Sequence, residues 1–148
     1  MPTEMELLSE AMLIALDSDD PRTAVGCVIH QPERGITLKA ANRLPPGILA
    51  NSARLLAPEK YMWIEHAERA ALYEAARRGV STAGASIYVH GGFPCVDCAR
   101  AIIASGIVAV IFSTGASDVR HWADSHATGE AMLVEAGVTL TDYSSHGH

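Results

Sequence analysis

The sequence has few cysteines, few lysines and no long apolar segment, and each shortage argues against one class of protein. Three cysteines in 148 residues do not provide the framework of a disulfide-stabilised secreted domain. Lys39 and Lys60 are the two lysines and the formal net charge is −6, so we expect no nucleic-acid partner. No apolar run reaches about 18 residues, so we expect no membrane partner. The first ten residues carry three glutamates and no basic residue, whereas a secretory signal begins with basic residues. We therefore expect a cytoplasmic protein.

Hydrophobic residues, by contrast, make up 49% of the chain, which is enough to fill a core and argues against disorder. A length of 148 residues corresponds to one domain. The sequence therefore predicts a single domain over residues 1–142, followed by a short tail over 143–148.

The spacing of apolar residues predicts helices that alternate with strands. The buried stripe of the first helix is expected to be Met5, Leu8, Met12 and Leu16. The predicted order is a helix over 4–16, a hairpin of strands over 24–30 and 36–41, a loop over 42–60 with one helical turn near 52–56, a helix over 66–78, a strand over 85–90, a helix over 95–105, a strand over 107–112, an irregular segment over 113–126, a helix over 127–136 and a strand over 138–141. Strands that alternate with helices pair in parallel. We therefore expect the α/β class, with a mixed sheet of about five strands and helices on both faces.

Two short motifs supply metal-binding side chains. Residues 66–68 read His-Ala-Glu and residues 94–98 read Pro-Cys-Val-Asp-Cys, and each motif opens a predicted helix. Cys95 and Cys98 are three positions apart, so both project from one side of the first turn, where the helix N-terminus favours thiolates. Two thiolates and the imidazole of His66 are three zinc ligands, and catalytic zinc sites keep the fourth position for water. Such a zinc ion lowers the pKa of bound water toward about 7.

No fourth ligand occurs at a motif-like spacing. Cys27 lies in an apolar strand, and His90 lies at the end of another. The available ligands therefore favour a zinc site with one coordination position left for water. Glu68 is close enough to the same helix end to move protons without binding the metal.

The combination of H-x-E with P-C-x-x-C resembles the signature of zinc-dependent nucleobase deaminases. Most of the chain is similar to the cytidine and deoxycytidylate deaminase superfamily, and within it most like the deoxycytidylate (dCMP) deaminases. The similar stretches are 20–21 with 25–26 (D-P…V-G), 41–45 (A-N-R-L-P), 60–61 with 66–68 (K-Y…H-A-E), 93–99 with 102–103 and 106–107 (F-P-C-V-D-C-A…I-I…G-I), 124–125 (D-S) and 136–138 (A-G-V).

This resemblance implies a three-layer α/β/α fold and a zinc-dependent hydrolysis that releases ammonia from C4 of a cytosine-type ring, with dCMP as the first expectation. It implies that Glu68 transfers protons to ring atom N3 and to the leaving amine. The backbone amide of Ala67 would bind the ring carbonyl, and Asn42 would contact the sugar. Relatives of this fold commonly self-associate, so a homo-oligomer is expected.

The phosphate of a nucleotide substrate requires a cation or amide donors. The family pattern has a basic residue just before the Asp-Pro pair, where this chain has Asp19. Arg22 follows that pair and is the first candidate to replace the missing basic residue as a phosphate ligand. The other candidates are the loop residues Arg43, Arg54 and Arg120.

Other interpretations of these residues remain open. The substrate could be a nucleoside, a free nucleobase or another aminated heterocycle. A non-catalytic zinc-stabilised module would need a fourth protein ligand and no role for Glu68. Asn42 could be a turn residue, and His121 and His126 are read as solvated loop residues.

Overall fold

The computed structural model describes residues 1–114 and 123–144. Residues 115–122 of the predicted irregular segment, which include Arg120 and His121, and residues 145–148 of the predicted tail lie outside the described residues. The helices are α1 (Glu4–Ile14), α2 (Ser52–Leu55), α3 (Lys60–Trp63), α4 (Ala67–Arg78), α5 (Val96–Ala104) and α6 (Ala123–Glu135). The strands are β1 (Gly26–Gln31), β2 (Ile36–Ala41), β3 (Ser86–His90), β4 (Ala109–Ser113) and β5 (Thr139–Asp142), and short 3₁₀ turns cover Ala15–Asp17 and Pro32–Arg34.

The five strands form one mixed sheet in the order β2-β1-β3-β4-β5. Strand β1 is antiparallel to both β2 and β3, whereas β3, β4 and β5 run parallel. The parallel neighbours are joined by crossovers that contain α5 and α6, which is the usual way to connect parallel strands. The predicted hairpin, the five strands and the α/β class are thereby confirmed.

Helices cover both faces of the sheet, as predicted. On one face α1 packs against alternate strand residues that include Val28, Tyr88 and Ile111. The opposite face is covered by α4, α5 and α6, and its core includes Ile29, Ile87, Val89, Val110, Ala71, Ile102 and Leu133. Because side chains alternate along a strand, each strand contributes to both cores. No helix in the described ranges is long and apolar enough to cross a membrane.

The prediction for the buried stripe of α1 is wrong in three of four positions. Met5, Met12 and Leu16 are 49%, 51% and 81% exposed. The buried residues are Leu7, Leu8, Ala11 and Ala15. The reason lies in β1, where a Cβ on Gly26 would overlap the Ala11 carbonyl oxygen. The helix therefore turns its small residues toward the glycine, which permits closer packing than methionines would.

Helices α6 and α3 also differ from the prediction. Helix α6 begins at Ala123 rather than 127, so His126 belongs to a helix and not to an irregular segment. The one-turn helix α3 begins at Lys60, the last residue of the predicted loop, and continues over 61–63, for which no element was predicted. The division into a domain over 1–142 and a tail stays a prediction, although the Tyr143 hydroxyl donates to Glu4 Oε2 at 2.7 Å.

Several loops meet at one edge of the sheet. Strand β1 begins at this edge, and its antiparallel neighbours β2 and β3 end there, because Gly26 pairs with both Ala41 and His90. The segments 18–25, 42–65 and 91–95 are therefore neighbours. The starts of α4 and α5 follow directly from two of these segments, which brings both sequence motifs to this edge.

Candidate functional site

His66, Cys95 and Cys98 converge at this edge. His66 Nδ1 lies 3.4 Å from Cys95 Sγ and 3.4 Å from Cys98 Sγ, and the three donor atoms all lie within 4.8 Å of one another. Tetrahedral zinc with bonds of about 2.0 Å to nitrogen and 2.3 Å to sulfur holds such atoms about 3.6 Å apart. The cluster therefore fits zinc. Among the described residues no fourth histidine, cysteine or carboxylate joins it, which leaves one coordination position for water.

The two thiols show how strongly this site favours a cation. Hydrogen bonding from Cys98, together with His66, lowers the pKa of Cys95 to about 4. The pKa of Cys98 is raised well above its ordinary value by the hydrogen bond to Cys95, by burial and by the charge of Glu68. Zinc binds both cysteines as thiolates, so its binding releases the thiol protons.

Glu65 and Arg69 connect the two helices that carry the donors. Glu65 Oε1 accepts the His66 backbone N–H at 2.9 Å and the Arg69 Nε–H at 2.7 Å. The guanidinium also lies 3.5 Å from the carboxylate of Asp97, between the two cysteines of α5. Burial acts to lower the pKa of Arg69, but the neighbouring Cys98 and the hydrogen bond to Glu65 outweigh it and raise that pKa. This network fixes α4 against α5 and offsets part of the negative charge of the thiolates.

The carboxylate of Glu68 is buried beside the metal cluster. Glu68 is 4% exposed, and burial raises its pKa, while the nearby His66 and a hydrogen bond with Cys98 oppose that rise. A raised pKa suits a carboxyl that accepts and releases protons during catalysis. Glu68 is thus placed next to the predicted metal and is not one of its grouped donors.

The side chain of Asn42 is bonded to the loop that precedes β1. Its Oδ1 accepts the Val25 backbone N–H at 2.9 Å and the Ser18 hydroxyl, and its Nδ2 donates to the Thr23 carbonyl at 2.8 Å. Asn42 is 6% exposed. These bonds join Asn42 to a segment 17–24 residues earlier in the chain and not to its own turn. A contact with a sugar would use the second Nδ2 hydrogen and stays a prediction. Ala67 is fully buried at the first position of α4, where the backbone N–H groups have no partner within the helix.

The acidic residues near Arg22 are bonded to other groups, and Asp20 is paired with a cation. Asp19 Oδ2 accepts the Leu44 backbone N–H at 2.9 Å. The carboxylate of Asp20 binds Lys60 Nζ at 3.0 and 3.2 Å and accepts the Arg22 backbone N–H at 2.9 Å. The side chain of Arg22 is exposed in the loop over 18–25. An anion near this loop therefore faces a cation whose neighbouring carboxylates are already engaged.

The remaining candidates lie apart from the metal cluster or line its border. Cys27 Sγ donates to the Ala67 carbonyl at 3.2 Å, and His90 Nδ1 pairs with Ser113 Oγ at 2.8 Å, so neither is a fourth ligand. The Arg54 guanidinium stacks on the Trp63 ring at 4.2 Å. His126 lies edge-on to Phe93 with ring centroids 5.9 Å apart, and it is partly buried rather than solvated as predicted.

Sequence reasoning missed the polar residues that support the site. Lys60 and the Asp124-Ser125 pair were noticed as similarities, with no role attached. Ser125 Oγ accepts the Val96 backbone N–H at 2.9 Å, and Lys60 binds Asp20 across 40 residues. The one local signal was Glu65, which immediately precedes His66. The other contacts join distant segments and leave no periodic trace in the sequence.

Comparison with known proteins places this arrangement in a family. A profile of the cytidine and deoxycytidylate deaminase zinc-binding region matches residues 1–114. The chain is 31% identical over 134 residues to ComE operon protein 2 of Bacillus subtilis (strain 168), covering 90% of this chain and 67% of that protein. It is 32% identical over 142 residues to deoxycytidylate deaminase of Homo sapiens, covering 92% of this chain and 76% of that protein.

A solved structure has the same fold. The dCMP deaminase of cyanophage S-TIM5, crystallised with dCMP and dUMP, superposes with a TM-score of 0.71 at 22% identity, covering 96% of this chain and 98% of the phage chain. The sequence matches and the His-Cys-Cys cluster agree with one another. The chain therefore belongs to the zinc-dependent cytidine and deoxycytidylate deaminase family, and it is a hydrolase of the deaminase type.

Proposed function

We propose that the protein converts dCMP to dUMP with release of ammonia, using zinc held by His66, Cys95 and Cys98. The observation that carries this proposal is the pairing of an open three-donor cluster with the buried carboxyl of Glu68 at the same helix ends. The relatives named deoxycytidylate deaminase support the substrate, as they match more than nine-tenths of this chain.

The residues of α4 would handle protons and orient the ring. Zinc, when bound, lowers the pKa of a coordinated water and so supplies a nucleophile at neutral pH. Glu68 takes up a proton, delivers it to N3 of the cytosine ring and then carries a proton to the departing amine. Its burial keeps bulk water from competing for those protons. The N–H of Ala67 binds the ring carbonyl, and Asn42 contacts the sugar through its remaining amide hydrogen.

Arg22 would bind the phosphate. Its loop lies at the same sheet edge as the metal cluster, because Asn42 binds Thr23 and Val25 while β1 starts at Gly26. Lys60 offsets the charge of Asp20, and the Asp19 carboxylate accepts the Leu44 N–H and not the Arg22 guanidinium. A guanidinium recognises phosphate through paired, charge-assisted hydrogen bonds.

The test is kcat/KM for ammonia release from dCMP, deoxycytidine, cytosine and guanine, measured side by side with the zinc content of the protein. We expect dCMP to be the best substrate. Arg22→Ala should raise KM for dCMP by about tenfold or more, since a charged hydrogen bond contributes about 1.5–3 kcal/mol, and should leave KM for deoxycytidine unchanged. The matched control is Arg34→Ala, because Arg34 is also exposed but lies in the hairpin turn at the opposite edge of the sheet.

Each outcome separates one part of the proposal from another. Faster turnover of an unphosphorylated compound would refute dCMP as substrate and leave the deaminase assignment intact. An equal effect of Arg22→Ala on dCMP and deoxycytidine would exclude Arg22 from phosphate binding. Stoichiometric zinc with no ammonia from any compound would favour the non-catalytic zinc module.

A further inference from the structure

Helix α5 begins at a metal donor and not at a usual capping residue. The first four backbone N–H groups of a helix have no partner within the helix, and a capping side chain at the preceding position accepts that of the second or third residue. In α5 the preceding position is Cys95, whose sulfur is directed toward His66 and Cys98. The N–H of Val96, the first residue of α5, therefore needs an acceptor from outside the helix.

A serine from another helix supplies the missing acceptor. Ser125 lies 29 residues further along the chain, in the first turn of α6, and its Oγ accepts the Val96 backbone N–H at 2.9 Å. Val96 is the first residue of α5 and lies between Cys95 and the remainder of the Cys-x-x-Cys turn. The Ser125 hydroxyl thus holds the peptide unit that joins Cys95 to α5.

Close packing one turn later holds α6 in the position that this bond requires. A Cβ on the buried Gly129 would lie 3.0 Å from the Pro94 carbonyl oxygen and 3.4 Å from the carbonyl carbon of Cys95. The glycine therefore lets the α6 backbone contact the Pro94-Cys95 segment directly. Ser125 and Gly129 are four residues apart, so both act on this segment from one face of α6.

Helix α4 also begins after a metal donor, but its outside acceptor comes from a different position in the chain. His66 precedes α4 and also makes no side-chain capping bond. There the adjacent Glu65 carboxylate accepts the His66 backbone N–H at 2.9 Å. Both helices thus begin at a metal donor, and at each start a side chain from outside the helix accepts a backbone N–H beside that donor.

We propose that Ser125 is a positioning residue for zinc: it accepts the Val96 N–H at the start of α5 and so fixes the directions of Cys95 and Cys98. The inference rests on the assignment of His66, Cys95 and Cys98 as zinc ligands. Groups that orient metal ligands typically change metal affinity by about 10–100-fold when they are removed. Because Ser125 acts through a backbone N–H and not on a sulfur, we expect the lower end of that range.

The experiment compares zinc affinity in the full chain and its variants by competition with a chromophoric chelator. Ser125→Ala should raise the zinc dissociation constant by about tenfold. Ser125→Thr keeps a hydroxyl acceptor and should restore affinity to within about twofold of the unmodified protein. The visible spectrum of the cobalt(II)-substituted protein gives a second measure, since a displaced thiolate shifts its bands. We expect that shift in Ser125→Ala and its reversal in Ser125→Thr.

Ser105→Ala is the matched control. Ser105 is a serine at the opposite end of α5, and its hydroxyl donates to the Ala101 carbonyl within the helix turn. Its loss should leave zinc affinity and the cobalt spectrum unchanged, although it removes a hydrogen bond from the same helix.

Three results would overturn the proposal. The first is a Ser125→Ala protein with unchanged zinc affinity and an unchanged cobalt spectrum. The second is an equal loss of affinity in Ser105→Ala, which would indicate general loosening of α5. The third is a Ser125→Ala chain that is unfolded without metal while Ser105→Ala is folded, because Ser125 would then support the fold and not the ligands. Absence of zinc binding by the unmodified protein would instead refute the proposed ligand set.

Discussion

The ion pair between Lys60 and Asp20 allows a test of how much a buried ion pair near the site contributes to the free energy of unfolding. Their side chains are only 10% and 7% exposed, and the Lys60 ammonium lies 3.0 Å from Asp20 Oδ2. The pair joins α3 to the loop over 18–25, which carries Arg22. Replacing Lys60 by methionine removes the charge, keeps most of the side-chain volume and leaves a buried carboxylate without its cation.

Removal of one partner of a buried ion pair costs about 3–5 kcal/mol. Asp20 Oδ1 still accepts the backbone N–H groups of Arg22 and Thr23, so the lower end applies. We therefore expect Lys60→Met to lower the free energy of unfolding by about 3 kcal/mol, or Tm by about 10 °C for a chain of this size. Urea and thermal unfolding, followed by circular dichroism, measure both quantities.

An exposed ion pair in the same chain provides the control. Lys39 lies 3.5 Å from the Glu10 carboxylate, with side chains 45% and 40% exposed. Lys39→Met should cost about 0.5 kcal/mol or less. The double variant Asp20→Asn/Lys60→Met should be more stable than the sum of the two single effects predicts. If Lys60→Met cost no more than Lys39→Met, the argument from burial would be refuted.

Three further predictions concern the site and the packing that supports it. Glu68→Gln should keep the fold and zinc but lose at least about 10²-fold in turnover, as measured by ammonia release, and a near-normal rate would exclude proton transfer by this residue. Cys98→Ala should lose stoichiometric zinc in elemental analysis, whereas Cys27→Ala, which alters an equally buried thiol outside the cluster, should retain it. Gly26→Ala should destabilise the chain by about 3 kcal/mol or more, because the new methyl group overlaps the backbone of α1, while Gly92→Ala meets open space and should leave the urea midpoint unchanged.

The fold and the metal cluster could be predicted because their signals are local. The apolar runs of the strands and the glycines after the helices mark most of the elements that the structure has. His66, Cys95 and Cys98 could be grouped because two motifs each open a helix after a strand or loop. The resemblance to deaminases added the expectation that the two helix starts meet.

The face of α1 could not be predicted because its sequence is apolar on most sides. Methionines at 5 and 12 and alanine at 11 satisfy helical spacings equally well. The choice between the stripes is made by Gly26, in a different element, which admits small residues and leaves the methionines outside. Hydrophobic spacing specifies that a helix is buried on some side, whereas the partner strand decides which side.

The contacts of Ser125 and Lys60 were out of reach for a related reason. Ser125 binds a residue 29 positions away and Lys60 one 40 positions away, and neither contact depends on a repeating pattern. A serine or a lysine in a polar stretch has the same local appearance whether it is solvated or buried. Only the packing of α6 on α5, and of α3 beside the loop over 18–25, gives these residues their partners.

The position of α6 in the chain has a consequence for the order in which the site is completed. A nascent chain leaves the ribosome from its amino end. The three donors all precede Thr114, so they emerge together with β1 to β4 before α6 and the edge strand β5 are available. During that interval the first turn of α5 has neither the hydroxyl of Ser125 nor the backbone of Gly129 against it. The donors are thus synthesised before Ser125 and Gly129, which contact the first turn of α5 only once α6 has folded against it.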